Sequence, residues 1–305
     1  MHSMVQIIRC AWPIRSVELG PDGKGETYVK TTSEPIQIIK NRRGSFDINL
    51  QEFWLYREML LFLTWKEITI RYRQTLLGAL WAVIQPLFLA IIFTVIFGNI
   101  VKISSVDVPY LIFTYVGLIL WTYFSNTLTY ASMSLVSNAN ILSKAYFPRI
   151  MLPLSVCLVG LLDYAVAAIL IFVFMIYFNI PPTPWLAFMI VPLFLTFLLA
   201  SGVGFLLSAI CVKYRDVRYA TPFLIQMLFF VSPIFYPVKI SEGWFGKVLL
   251  FNPLTGIMNA QRACIIGHTT VDWLSLFTAT CITLILFIGG VLYFRKYDRE
   301  FADVI

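Results

Sequence analysis

Long apolar stretches alternate with short polar loops along most of this chain. Six of them are long enough to cross a bilayer core of about 30 Å at about 1.5 Å per helical residue. They cover 76–101, 110 to about 136, 154–178, 185–212, 221 to about 238 and 273–294. The pattern therefore predicts an all-α polytopic membrane protein with six transmembrane helices. The fifth stretch begins at Thr221-Pro222, a pair typical of a helix start, and carries Pro233 and Pro237 near its far end.

Composition supports this class. Hydrophobic residues make up 59% of the chain and charged residues 13%, and the mean hydropathy is +0.80. So little polar surface cannot coat a water-soluble globule of this size.

The first 46 residues are the only long polar segment. They lack the apolar core and small-residue cleavage site of a signal peptide. The runs at 28–30 and 36–39 are compatible with paired strands, but the composition favours a polar cytoplasmic tail. We therefore divide the chain into this tail, 1–46, and a transmembrane domain, 47–305.

Two further segments are neither spans nor simple loops. Residues 48–74 mix charges with large aromatic side chains, which is typical of a helix lying in the membrane interface. Residues 239–272 hold Trp244, Phe245 and a break at Asn252-Pro253. This second segment predicts two short helices that enter the membrane edge and return.

The distribution of basic residues predicts the orientation. With both termini in the cytoplasm, only Lys102, Lys239, Lys247 and Arg262 of the 23 Lys and Arg residues lie on the outer side. Inner loops rich in Lys and Arg follow the positive-inside rule.

Catalytic and metal sites find little material in this sequence. The five cysteines are widely spaced without a CxxC pair, and there are only two histidines. Neither a disulfide framework nor a metal site is indicated, and no catalytic cluster is predicted.

Asp163 is the one ionisable acid or base inside the predicted spans. A carboxylate at mid-depth is costly, so it is expected to have a role. It is either part of a proton, cation or substrate path, or a structural carboxyl bonded to a neighbouring helix. The structural reading is favoured, because a lone acid couples ions poorly.

Two stripes of side chains are candidates for lining a path. In the second span, polar side chains recur on one side at Tyr115, Thr122, Ser125, Thr129 and Ser132. They line a hydrated path or hydrogen-bond between helices. The fifth span carries the stripe Phe223, Gln226 and Phe230, whose aromatic faces either stack on sugar rings or pack in the membrane.

Several strings, in their order along the chain, resemble one known family. They are YREMLLFLTWKEITIRYRQTLLGALWAVIQP, SNANILSKAYFPRIMLP, YRDVRYATPFLIQMLFFVSPIFYP, NPLTGIMNAQR and RKYDREFADVI. Together they resemble the membrane subunit of ABC-2 type polysaccharide exporters, which export O-antigen, capsule or teichoic acid chains. The resemblance covers about 47–305 and leaves the tail aside.

The resemblance implies a homodimer that works with two separate ATPase subunits. ATP and Mg would bind to those subunits and no cofactor to this chain, which is expected to bind membrane lipid but not nucleic acid. The segment with Asn140, Lys144 and Arg149 would be the helix that couples to the ATPase. Trp244, Phe245, Asn252 and Pro253 would belong to outer gate helices, and the first and fifth spans would flank a channel.

The sequence is thus interpreted as the membrane subunit of an ATP-driven exporter of lipid-linked polysaccharide in the bacterial inner membrane. An ion-coupled carrier remains an alternative, but it would require several intramembrane charges. A membrane-embedded glycosyl or acyl transferase is the other alternative and would require clustered acids or histidines.

Overall fold

The structure is a computed structural model of the chain. It describes the backbone of 19–21 and 27–29, and residues 54–73, 75–101, 108–142, 144, 147–214, 216–237, 244–267 and 272–298. The Phe245 side chain and most of the predicted tail lie outside the described residues. The chain divides into two compact units, Met1–Gly44 and Ser45–Ile305.

The first unit contains a short antiparallel hairpin. Strand β1 (Leu19–Pro21) pairs with β2 (Thr27–Val29), with Gly20 opposite Tyr28. The sequence favoured a tail over strand pairing here, and the run at 36–39, considered as a strand partner, lies outside the described residues. The observed partner of 27–29 is β1.

The regular elements among the described residues of the second unit are helices. Its helices are α1 (Arg57–Tyr72), α2 (Trp81–Phe93), α3 (Tyr110–Ser137), α4 (Ala139–Leu142), α5 (Met151–Tyr177), α6 (Ile190–Lys213), α7 (Val217–Val231), α8 (Trp244–Phe251), α9 (Pro253–Ile266) and α10 (Trp273–Tyr297). Single 3-10 turns precede α2 (Gly78–Leu80) and α6 (Pro184–Met189), and a π-helical segment, Thr94–Ile100, continues α2.

Five helical segments are long and apolar enough to cross a membrane. They are Gly78–Ile100, Tyr110–Ser137, Met151–Tyr177, Pro184–Lys213 and Trp273–Tyr297. They match the first four predicted spans and the last one, which confirms the prediction of an all-α polytopic membrane protein. The count of six stays a prediction, because α7 has only 15 residues and is about 22 Å long.

The predicted bounds of the fifth span were wrong at both ends. Helix α7 begins at Val217, so Thr221 does not cap it and instead donates its hydroxyl to the Val217 carbonyl at 2.7 Å. Pro222 lies inside the helix rather than at its first position. The helix ends at Val231 because Ser232 precedes Pro233 and takes an extended backbone. Pro233 therefore marks the end of the helix instead of bending it.

Helix α3 forms the centre of the unit and contacts α2, α5, α6, α7 and α9. Small residues allow the closest approaches between its neighbours. A Cβ atom at Gly290 of α10 would lie 2.0 Å from the carbonyl oxygen of Gly202 on α6, so both positions exclude a side chain. Ala200, Gly204 and Ser208 recur every fourth residue on α6, a small-residue pattern that predicts close helix packing. All three are buried, and Gly204 faces Ala131 of α3.

Helix α1 packs on α5 through a buried Leu63, together with the partly buried Met59 and Leu60. Its other side carries Leu61, Phe62 and Trp65, which are exposed on the protein. One side therefore holds the helix to the bundle, and the other presents large apolar groups outward.

Candidate functional site

A polar cavity of about 160 Å³ lies where α1, α2, α3 and α5 meet. Hydrogen-bonding side chains form much of its wall: Arg71, Tyr72, Thr75, Gln85, Thr122, Tyr123, Asn126, Tyr130, Asp163 and Tyr164. The start of α2 contributes Trp81, which is 53% exposed at the rim. The bundle thus contains a recess in which polar groups from four helices converge.

Asp163 lies in the wall of this cavity and is paired. Arg71 donates from Nη1 to the carboxylate in an ion pair, and the Tyr72 hydroxyl donates to its other oxygen. The Arg71 guanidinium also lies over the Tyr130 ring, 4.5 Å from its centre. Burial raises the pKa of the Tyr72 hydroxyl well above its usual value, and Asp163 raises it further, so the hydroxyl remains a donor.

Sequence reasoning missed these partners because both precede the first predicted span. Arg71 and Tyr72 end an interface helix that folds back against α5. The two alternatives for Asp163 remain, since a paired carboxylate can also line a substrate path. The ion pair places the Arg71 guanidinium of α1 directly beside the Asp163 carboxylate.

The side chains of the predicted polar stripe on α3 have different surroundings. Tyr115 is fully buried, and its hydroxyl donates to the Ala167 carbonyl of α5 at 2.9 Å. Thr122 lines the cavity. Ser125 and Thr129 donate to carbonyls of their own helix. The stripe therefore divides between helix packing, the cavity wall and internal hydrogen bonds.

All three side chains of the predicted stripe on α7 are exposed. Phe223 is 57% exposed and Phe230 59% exposed; Gln226 lies exposed between them. Tyr219, one turn earlier, is also exposed. One face of α7 thus offers an amide between aromatic rings, with none of these side chains held in the core.

The chain after α7 is anchored by Arg262, whose importance the sequence did not indicate. This arginine is buried, and its Nη1 and Nη2 donate to the carbonyls of Pro233 and Ile234 at 2.8 and 2.6 Å. Its Nε donates to the Phe113 carbonyl at 3.2 Å. The sequence placed Arg262 in an outer loop, but α9 carries it into the bundle.

Two tyrosines continue this anchoring. Tyr110 donates its hydroxyl to the Phe235 carbonyl, and the Tyr236 hydroxyl donates to the Val231 carbonyl at 3.2 Å, at the end of α7. Buried extended backbone requires such partners, because it has no neighbouring helical turn to satisfy its carbonyls. The segment 232–237 is therefore held by side chains from α3 and α9.

Helix α8 ends and α9 begins at Asn252, where the sequence predicted a break between two short helices. Its side chain accepts from the Leu254 amide at 3.1 Å and caps α9, with Pro253 at the first helical position. Its amide nitrogen also donates to the Ser232 hydroxyl at 3.1 Å. Trp244 at the start of α8 is 77% exposed. Helix α9 is buried along nearly its whole length, so it is part of the bundle.

The predicted coupling segment is described in part. Helix α4 covers Ala139–Leu142, and Lys144 lies exposed in a turn. Asn140 is exposed as well. Just before them, Asn138 accepts a hydrogen bond from Lys66 of α1. The segment is thereby tied to the same helix that reaches the cavity.

Arg149 is engaged within the protein. Its Nη1 donates to the Asp298 carbonyl at 2.5 Å, and its Nε lies 4.0 Å from the Asp298 carboxylate. Burial raises the pKa of that carboxyl, while Arg149 lowers it. Arg149 thus connects the start of α5 to the end of α10. Among the described residues, no group of three His, Cys, Asp or Glu is placed to hold a metal ion.

Comparison with protein families gives a match over most of the second unit. The model described as "ABC-2 type transporter" matches residues 58–266. This range runs from α1 to the end of α9 and includes the cavity, the α7 stripe and Arg262.

Curated relatives align along nearly their whole length. The "O-antigen export system permease protein RfbA" of Myxococcus xanthus is 28% identical over 260 residues, covering 84% of this chain and 98% of the relative. A Klebsiella pneumoniae protein of the same description is 27% identical over 250 residues, covering 81% and 95%. The "Polysialic acid transport protein KpsM" of Escherichia coli is 26% identical over 233 residues, covering 75% and 89%.

Proposed function

The chain belongs to the ABC-2 type transporter family, and on that premise we propose that it is the membrane subunit of an ATP-driven polysaccharide exporter. Its cargo would be a lipid-linked, O-antigen-like chain, moved from the cytoplasmic to the outer side of the bacterial inner membrane. The descriptions of its relatives support this cargo class, since they concern O-antigen and polysialic acid.

The exposed face of α7 is the observation that carries this proposal. Phe223 and Phe230 present their rings outward on either side of Gln226. Aromatic faces stack on the C–H faces of sugar rings, and an amide both donates to and accepts from hydroxyl groups. Such a surface tolerates many linkages, which suits the passage of a polymer.

A homodimer completes the proposed path. One α7 face forms only one wall, so a second copy of the chain would supply the opposite wall. The outer end of each wall is the segment anchored by Arg262, and α8 and α9 would form the outer gate next to it. Both termini would then lie in the cytoplasm, as the distribution of Lys and Arg indicates.

Energy would come from two ATPase subunits that bind ATP and Mg. Lys144 is exposed beside α4 and available to such a partner. The contact from Lys66 to Asn138 connects this surface to α1. Movement of the partner would therefore reach α1 and the helices it contacts.

The test is complementation in a strain lacking this gene, with surface and intracellular polysaccharide measured separately. The native chain should restore surface polysaccharide, whereas Phe223→Ala/Phe230→Ala should leave polymer inside the cell. Phe194→Ala is the matched control, because Phe194 on α6 is also 57% exposed. Loss of export in the control but not in the double variant would refute a role for α7.

The partner is tested separately by purification in mild detergent. An ATPase subunit should co-purify with the chain in a one-to-one ratio. Chains that restore export without any associated ATPase would contradict this mechanism and favour an ion-coupled carrier.

A further inference from the structure

We propose that the polar cavity between α1, α2, α3 and α5 binds one neutral sugar ring of the exported chain. This inference rests on the proposed function for the source of the sugar. The binding chemistry itself rests on the cavity wall alone. The site is distinct from the α7 stripe, because no residue of α7 lines this cavity.

The charges of the wall select a neutral ligand. Among the described residues of its lining, Arg71 is the one cation and Asp163 the one anion, and these two are paired with each other. A phosphate or carboxylate group would face Asp163 without a free cation, and a cationic group would face Arg71 without a free anion. Both would lose hydration with no net compensating charge.

Hydroxyl groups fit the same wall well. Gln85 and Asn126 each offer a donor and an acceptor, and the hydroxyl of Thr122 offers both from one atom. Asp163 and Arg71 keep further acceptor and donor capacity beyond their own pair, since a carboxylate has about four lone-pair sites and a guanidinium has five N–H groups. A ligand with several hydroxyl groups can therefore be satisfied from several directions.

Aromatic rings supply the apolar surface that a sugar also requires. Trp81 at the rim is 53% exposed, and Tyr130 on the opposite helix is 50% exposed. The cavity of about 160 Å³ is small and has Trp81 at its rim. It is therefore of a size for one ring of the polymer rather than for a longer stretch of chain.

Saturation-transfer NMR tests binding on the full-length chain in phosphatidylglycerol nanodiscs. The probes are methyl glycosides of glucose, galactose, mannose and rhamnose. At least one glycoside should receive saturation from the protein, and the signal should fall at least fivefold in Gln85→Leu/Asn126→Leu. Ser125→Ala is the matched control, since Ser125 adjoins Asn126 but donates to its own helix at Thr122.

Folding of each variant is checked by its elution volume and thermal unfolding. If the double variant unfolds, the single change Asn126→Asp replaces it, and the altered charge should reduce the signal while filling the same volume. A signal that persists in a folded variant, or no signal from any glycoside with the native chain, overturns the proposal. Displacement of the glycoside by inorganic diphosphate also overturns it, because an anion would then share the site.

Two arms identify the source of the sugar. Delipidated polysaccharide from the host should compete with the glycoside, whereas adding a glucosyl diacylglycerol to the nanodiscs should not. Competition by the glycolipid alone overturns the assignment to the exported chain. If the native chain binds glycosides but fails to restore export, the proposed function fails, and if it restores export without binding, only this inference fails.

Discussion

The guanidinium carbon of Arg262 lies 3.8 Å from the centre of the Phe113 ring, and Nε of the same arginine donates to the Phe113 carbonyl. An arginine buried this deeply ordinarily pairs with a carboxylate, but here the guanidinium donates to three main-chain carbonyls. Burial lowers the pKa of the guanidinium, yet it remains protonated at neutral pH. The cation therefore serves as a hydrogen-bond donor to the non-helical segment after α7 and to the Phe113 carbonyl of α3.

Replacing Arg262 with Met should destabilise the segment that follows α7. The buried carbonyls of Pro233 and Ile234 would lose their donor, and each unsatisfied group costs about 1–3 kcal/mol. We expect a loss of roughly 3 kcal/mol in the free energy of unfolding, seen as a lower midpoint of thermal unfolding in detergent. Arg262→Lys should recover only part of it, because an ammonium group cannot span three carbonyls in a planar fork. Equal stability of the Met variant and the native chain would contradict this account.

Gly117 provides the space for the same arginine. A Cβ atom at this position would lie 2.6 Å from Nη2 of Arg262 and 3.2 Å from the Ile234 carbonyl oxygen. Gly117→Ala should therefore lower the unfolding midpoint much as Arg262→Met does. The double variant should lose less stability than the sum of the two single losses, since both changes disturb the same contact.

Gly289→Ala on α10 is the matched control for this prediction, because an added Cβ there meets nothing within 4 Å. It should leave stability unchanged or raise it slightly through higher helix propensity. A control as damaging as Gly117→Ala would mean that the loss does not come from the arginine contact.

Asp163 and Arg71 should behave as a coupled pair. Their side chains are 16% and 19% exposed, so breaking the pair should cost less than the 3–5 kcal/mol of a fully buried one, about 1–3 kcal/mol. Asp163→Asn and Arg71→Gln should each lower the unfolding midpoint. The double variant should lose less stability than the sum of the two single losses, because no uncompensated charge remains in it.

Tyr72→Phe separates the charge from the hydrogen bond at this site. It removes one donor to Asp163 and leaves the ion pair, so it should cost only about 1 kcal/mol. Strictly additive losses for Asp163→Asn and Arg71→Gln would show that the two charges do not stabilise each other.

The apolar pattern was sufficient to predict most of the helices, because a membrane span is marked by length and composition alone. The partners of Asp163 were not accessible in this way. Arg71 and Tyr72 are about ninety residues away in the chain and come from a helix outside the spans. Arg262 was missed for a related reason, since a charge near a proline and glycines resembles a loop residue unless its helix is known to be buried.

Helix packing shows the same limit. The Ala200-Gly204-Ser208 pattern marked a close approach on α6, and Gly204 does face Ala131. The tightest contact on this helix is nevertheless made by Gly202, whose added Cβ would lie 2.4 Å from the Phe287 Cα atom. One helix has several packed faces, and a repeat identifies only the face whose small residues recur regularly.

Lys144 and Arg149 should respond differently to charge reversal, although the sequence assigned both to ATPase coupling. Lys144 is exposed in a turn, so Lys144→Glu should leave the unfolding midpoint unchanged. Under the proposed function, this change should reduce the export of polysaccharide and weaken the association with the ATPase. Pull-down from detergent extracts measures that association.

Arg149→Glu should instead damage the protein itself. It would place a second carboxylate next to Asp298, which is already partly buried, and would remove the donor to the Asp298 carbonyl. We expect a lower unfolding midpoint by several degrees, with export lost in proportion to folded protein. Arg149→Glu combined with Asp298→Asn should recover stability, because the repulsion is removed. If Arg149→Glu folds normally and loses only the ATPase, Arg149 belongs to the coupling surface with Lys144, and its contact with Asp298 is dispensable.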